Sequence, residues 1–252
     1  MDPAAYIEMA EVESRHWWFV GRRAVLTSTI GQLKLPSHAR ILEIGCGTGG
    51  NLEMLAGFGS VSAFEMDAPA YAVASRKTAG AVDIRLGYCP DHIPFEHERF
   101  DLICLFDVLE HIEQDTDTLA AIRSLLAPNG RMLITVPAYP WMFGVHDRYL
   151  HHKRRYSARD LRQKSVASGF RCVRLSYFNT LLFPLAAVVR AKERFLGSRS
   201  AAAGNAPPRF LNTAFSQLFS AERRWLKHFN FPFGLSLLCV LEATADDAIA
   251  PR

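Results

Sequence analysis

The apolar positions change period along the chain, and that change lays out the elements. Strand-length apolar runs stand at Arg40–Ile44, Ser60–Phe64, Ala81–Leu86, Phe100–Phe106 and Arg131–Val136, the last closed by Pro137. Phe100-Asp101-Leu102-Ile103-Cys104-Leu105-Phe106 is nearly unbroken, as a strand covered on both faces of a parallel sheet must be. Helical spacing intervenes. Leu119, Ile122, Leu125 and Leu126 form one stripe of a helix that starts near Asp115 or Thr116 and stops at Pro128-Asn129-Gly130. Residues 3–34 read as helical, with Trp17, Trp18 and Phe19 in the middle. Ser157 with Asp160 makes a capping-box-like start for a helix that ends at Gly169. Phe170–Tyr177 and Leu235–Glu242 are the last two strands.

Strands alternating with helices through residue 136 predict an α/β fold: a doubly wound, Rossmann-like sheet of seven strands, mostly parallel, with the last strand antiparallel. The 252 residues suit a single domain. Within it, residues 1–37 read as an N-terminal helical cover. Residues 179–232 are too long for a hairpin loop and read as a helical insertion over the active-site edge, broken at Gly204–Pro208.

The chemistry concentrates where the first strand breaks. Ile41-Leu42-Glu43-Ile44 runs into Gly45-Cys46-Gly47-Thr48-Gly49-Gly50, and Asn51-Leu52-Glu53-Met54-Leu55 then reads as helix. Glycines permit positive φ and let a ligand lie against bare backbone. A helix start adds unpaired N–H groups. Two spacings fit the loop. Gly45, Gly47 and Gly50 satisfy the G-x-G-x-x-G of a dinucleotide site, with Glu65 twenty positions on as the ribose acid. Glu43, Gly45, Gly47 and Gly49 instead read as E-x-G-x-G-x-G. Glu43 separates the two: an acid at the strand end repels a pyrophosphate and favours a sulfonium and an ammonium.

The second spacing resembles motif I of class I S-adenosylmethionine methyltransferases. The resemblance extends to Ile93-Pro94-Phe95 before Phe100–Ile103, and to Asp107-Val108-Leu109-Glu110-His111-Ile112. It is strongest over about residues 38–178. A narrower likeness, to bacterial members of the type 11/12-like group, comes from His16-Trp17-Trp18-Phe19 with Gly21-Arg22-Arg23, from Val136–Tyr139, and from His146-Asp147-Arg148 through Arg154-Arg155-Tyr156.

What the resemblance implies is methyl transfer from S-adenosylmethionine, leaving S-adenosylhomocysteine. The acceptor is an oxygen or nitrogen of a small-molecule, saccharide or lipid-linked compound. It puts the cofactor contacts on Trp18, Arg22, Glu43, Gly45, Cys46, Gly47, Gly49, Glu65, Met66, Phe106, Asp107 and His111. The family often has an adenine-binding acid soon after the third strand. That place here reads Gly87-Tyr88-Cys89-Pro90-Asp91, so Tyr88 and Cys89 take it and Asp91 is displaced. Arg22 is the expected partner of the methionine carboxylate, and the tryptophans the expected face for the sulfonium. A histidine suits proton removal from an acceptor near neutral pH. His146 beside Asp147 is the first candidate, with His111 and His151 behind it. His146, Asp147, His151 and His152 imitate a metal set, but nothing completes it, so no metal is expected. A nonenzymatic S-adenosylmethionine-binding scaffold and an NAD-dependent oxidoreductase are the alternatives.

Composition adds bounds. Five cysteines stand singly at 46, 89, 104, 172 and 239, which argues against a disulfide framework and for reduced thiols. An acidic start with no apolar leader, and no run long enough to span a bilayer, point to the cytoplasm. The net charge of +4 hides thirteen Lys/Arg between Arg148 and Ser200 against Asp160 and Glu193. Apolar residues alternate with these bases through 180–231, which suits peripheral contact with a membrane's inner face, a lid, or a dimer contact. Both a monomer and a homodimer fit. No nucleic-acid module accompanies the charge, which disfavours RNA or DNA as partner.

Overall fold

The computed structural model describes residues 10–196 and 207–244. Its strands are β1 (Arg40–Ile44), β2 (Ser60–Glu65), β3 (Asp83–Leu86), β4 (Phe100–Phe106), β5 (Leu126–Pro137), β6 (Phe170–Phe178) and β7 (Ser236–Ala243). The helices are α1 (Trp17–Ile30), α2 (Leu52–Ala56), α3 (Ala68–Thr78), α4 (Asp115–Arg123), α5 (Val145–Tyr149), α6 (Ala158–Ala167), α7 (Phe183–Leu196) and α8 (Arg209–Trp225).

The seven strands form one sheet in the order β3-β2-β1-β4-β5-β7-β6. Strands β1 to β5 run parallel, and β7 runs antiparallel to both of its neighbours. The order reverses between β1 and β4, so their carboxyl ends open a crevice at a topological switch point, where open α/β sheets place ligands. β7 is inserted between β5 and β6, and β6 forms the edge. The Leu237–Leu241 segment of β7 is therefore buried throughout.

Each face carries its own core. On one, Leu119 and Ile122 of α4 and Leu161 of α6 pack on Ile103, Leu105, Met132, Ile134 and Cys239. On the other, Val25, Leu26 and Ile30 of α1, with Phe219 of α8 and Leu226 just beyond it, pack on Ile41, Leu102, Cys104, Leu133 and Val240. The insertion's second helix thus covers a sheet face beside α1. A Cβ on Gly21 would lie 2.3 Å from the Phe219 ring, so α1 and α8 meet backbone against aromatic. Glu222 ties α8 to the start of the insertion by accepting from Thr180 N at 2.7 Å and Leu181 N at 2.8 Å.

Two helix boundaries differ substantially from the sequence expectation. The single helix over residues 3–34 is interrupted by a turn at 13–15, and α1 starts at Trp17, whose helix His16 caps through its ring nitrogen to Trp18 N at 3.3 Å. Residues 1–9 lie outside the described residues, as do 204–206 of the expected break. Helix α4 ends at Arg123, not Leu126. Leu126 pairs with Phe100 while Arg131 pairs with Leu102, so Ala127–Gly130 bulges out of β5. Asn129 sits there at φ 64° and Gly130 lies too close to the Phe100 carbonyl to carry a side chain.

Candidate functional site

The glycine loop leaves β1 and turns under β4. Gly45 has φ +66°, and a Cβ there would stand 2.8 and 3.0 Å from the two Val108 methyl carbons. Gly45→Ala is expected to cost roughly 2–4 kcal/mol, from left-handed strain and overpacking together. Urea unfolding measures it. Val108→Ala in that background should recover only the packing share, because the backbone strain stays.

Three carboxylates surround the loop in different states. Glu65, buried at the end of β2, accepts from Gly47 N at 2.8 Å on Oε2 and from Met66 N and Asp67 N, both 3.0 Å, on Oε1. Burial raises its pKa, while these backbone N–H groups pull it down. An ionised carboxylate offers about four acceptor positions. One position on Oε2 therefore stays open, where the resemblance implied two ribose bonds. Glu43 is fully buried and accepts from Asn51 Nδ2 at 2.7 Å, but its Oε2 has no partner among the described residues. Asp107 follows β4 with φ 58° and pairs with Arg22 Nη1.

Burial raises the Glu43 pKa from 4.5 to about 7. The folded state therefore holds a proton that the unfolded chain has already released. The resulting stability is full below 4.5, declines as pH rises, and is lost above about 7. The loss is roughly 3 kcal/mol at most. Thermal melts across that range should fall with rising pH in the wild type and fall less in Glu43→Gln. Parallel profiles for the two would contradict this origin.

Arg22 holds the loop and the β4 end together. Besides Asp107, its guanidinium lies 4.5 Å from the Trp18 ring centroid, and its side chain is buried. It is thus paired inside the protein, at the loop where the resemblance places the methionine carboxylate. Trp17 packs on Phe215 and Phe219 as part of the core. Asn51, which sequence reasoning passed over, is the donor that half-satisfies Glu43. Its position just after the glycines was the available signal.

The remaining expected contacts divide. Phe106 and Cys46 are buried in the core beneath the loop, where burial also pushes the Cys46 thiol up. Met66 is 73% exposed beside the loop. Tyr88 is half exposed and pairs with His92 through both backbone hydrogen bonds, while Cys89 packs against the core.

The histidines regroup. Asp147 is fully buried and its carboxylate receives His152 Nδ1 at 3.0 Å, Arg155 Nε at 2.7 Å and Gly144 N at 2.8 Å. These contacts hold it well below the usual carboxylate range. His152, which sequence reasoning left behind the adjacent His146, is thus held by Asp147. His111 stacks edge-on to His152 with centroids 4.7 Å apart, and burial lowers its pKa to about 3, so its ring is neutral. His151 is exposed, with φ 59°.

Several bases of the stretch are paired among the described residues. Arg154 and Lys164 converge on Asp115, Arg155 meets Asp147, and Arg171 meets Glu242. An aromatic group of Tyr139, Trp141, Tyr177, Phe183 and Phe233 joins the loop after β5 to the start of α7. No helix among the described residues is long and apolar enough to cross a membrane.

Residues 21–175 match the family described as Methyltransferase domain. The chain is similar to a ubiquinone biosynthesis O-methyltransferase of Xanthomonas axonopodis pv. citri, 31% identical over 104 residues. That match covers 40% of this chain and 44% of the relative, so the chain spans less than half of that protein's length. Among solved structures, it is similar to a chain of the complex between the Haloferax volcanii Trm112 methyltransferase activator and a methyltransferase. The TM-score is 0.63 at 17% identity, covering 96% of this chain and 95% of that one. It is also similar to Haemonchus contortus phosphoethanolamine N-methyltransferase 2, solved with phosphomonomethylethanolamine and S-adenosylhomocysteine. There the TM-score is 0.54 at 17% identity, over 83% of this chain and 50% of that one. At these identities the structural likeness concerns the fold.

Proposed function

The chain belongs to the methyltransferase-domain family, whose cofactor is S-adenosylmethionine, and from that premise we propose that it methylates a hydroxyl oxygen of a small, apolar-tailed acceptor. The observation that carries the cofactor assignment to particular residues is the pairing of acids around the glycine loop. Glu65 keeps one acceptor position for a ribose hydroxyl. Glu43 sits half-satisfied behind the loop, where a cationic ligand offsets its burial and an anionic one does not. Transfer is an in-line displacement. S-adenosylmethionine, when held by the glycine loop with Glu65 and Glu43, would supply a sulfonium-activated methyl group to the acceptor oxygen, whose hydroxyl proton passes to solvent. The chain's own contribution is alignment and exclusion of water.

Two observations support the acceptor class. The aromatic group around Tyr139 and Phe183 adjoins exposed Leu181, Leu185, Val188 and Val189 at the start of α7, which makes an apolar approach. The Xanthomonas relative is named for ubiquinone biosynthesis, a lipid-tailed product class. Calorimetric titration with S-adenosylhomocysteine and with NAD tests the cofactor: binding of the first and not the second is expected, and the reverse would sink the reading. Co-sedimentation with anionic vesicles at low salt tests the apolar approach, and no binding there would count against an apolar-tailed acceptor reached at a membrane surface.

A further inference from the structure

Just past β4, Glu110, His111 and His152 each present one ligand atom, and these atoms all lie within 4.8 Å of one another. Glu110 is fully buried, and neither of its oxygens has a hydrogen-bond partner among the described residues. Such a group is anomalous in this molecule, where buried Asp147 and Asp115 are each held by several donors. A buried carboxylate without donors calls for a cation.

The histidines are arranged to supply lone pairs there. His152 turns its Nδ1 to Asp147 at 3.0 Å, which directs Nε2 toward Glu110, 4.0 Å from Oε1. That is beyond hydrogen-bond reach, yet within what two ligands at about 2.0–2.2 Å from one shared ion can span. A carboxylate on the far nitrogen is the usual orienting device for a metal-ligating histidine, and Arg155 and Gly144 fix Asp147 for the task. His111 stands edge-on to His152, with ring centroids 4.7 Å apart.

We propose that Glu110, His111 and His152 bind one divalent transition-metal ion of the zinc or manganese class. Two imidazoles and one carboxylate suit such ions and leave coordination positions open. Water fills these positions in the absence of acceptor. An acceptor hydroxyl would replace it, a role that rests on the methyltransferase reading above, whereas the metal site itself does not.

The test uses the tag-free, full-length chain after chelation and desalting. Titration with Zn2+ or Mn2+ is expected to give one equivalent bound, and Co2+ to give visible bands of a nitrogen- and oxygen-ligated ion. Glu110→Gln and His152→Ala should each weaken binding by about 10–100-fold or more, with S-adenosylhomocysteine affinity changed only a few-fold. Failure of folded wild type to bind any of the three ions, or equal binding by the double variant, overturns the site. The Co2+ spectrum reads the ligand set without substitution, so it decides the matter even where a variant does not fold. Catechol, used as an oxygen-donor probe, should shift the Co2+ bands, and an unchanged spectrum would remove the acceptor role. Metal binding without S-adenosylhomocysteine binding would fault the functional reading alone, and the converse would fault this inference alone.

Discussion

Replacing Arg22 by methionine is expected to destabilise the fold by roughly 3–5 kcal/mol, on the order of 10 °C in Tm for a chain of this size. Arg22 and Asp107 are both largely buried, with side-chain exposures of 8% and 18%. Removing the guanidinium leaves Asp107 without its cation and withdraws a positive charge that opposes the rise of the Glu43 pKa. Burying two charges as a pair is costly, but burying one alone costs more. A compensating change is therefore the sharper measurement. Asp107→Asn in the Arg22→Met background should recover a large part of the loss in calorimetric melts. Arg22→Lys keeps the charge but loses the planar stacking on Trp18 and should fall between. A Tm for Arg22→Met within about 2 °C of wild type, well under the shift anticipated above, would show that the pair does not clamp α1 to the β4 end.

Glu65→Ala is expected to weaken S-adenosylhomocysteine binding by about 10–100-fold, the worth of one charge-assisted hydrogen bond. The structure limits the effect to one bond, because Gly47, Met66 and Asp67 already occupy the other acceptor positions. The same three N–H groups lose their acceptor in the variant, so a fall in stability should accompany the fall in affinity. Glu65→Gln separates the two, since its amide oxygen can still accept backbone N–H groups while the charge is gone. Calorimetric titration on samples verified as folded by circular dichroism gives the affinities. Wild-type affinity in both variants would dismiss Glu65 as a ligand contact.

The elements that could be read along the chain were those with a strong local period. β1 and β4 stand where their apolar runs placed them, and the Ser157 start and Gly169 stop of α6 follow from side-chain capping and a positive φ of 80°. Local signals failed where a distant partner overrode them. The apolar stripe of α4 seemed to include Leu126, but Phe100 captures that residue into β5. The helical pattern runs through α1 into what precedes it, yet a turn lies at 13–15, where Glu13 accepts from Thr48 of the glycine loop at 2.9 Å.

The site divides along the same line. Sequence by itself determined the α/β class, the glycine loop with Glu43 and Glu65 on either side, and from these the cofactor. All of that chemistry is local to a strand end and repeats at short spacing. Only the tertiary structure decided who partners whom. Arg22 meets Asp107 across the loop, Asp147 holds His152 Nδ1, and His152 meets Glu110 and His111 from some forty residues away. The physical reason is burial. A charged side chain out of water must find its partner in the folded neighbourhood, and that neighbourhood is set by the sheet order and not by position along the chain.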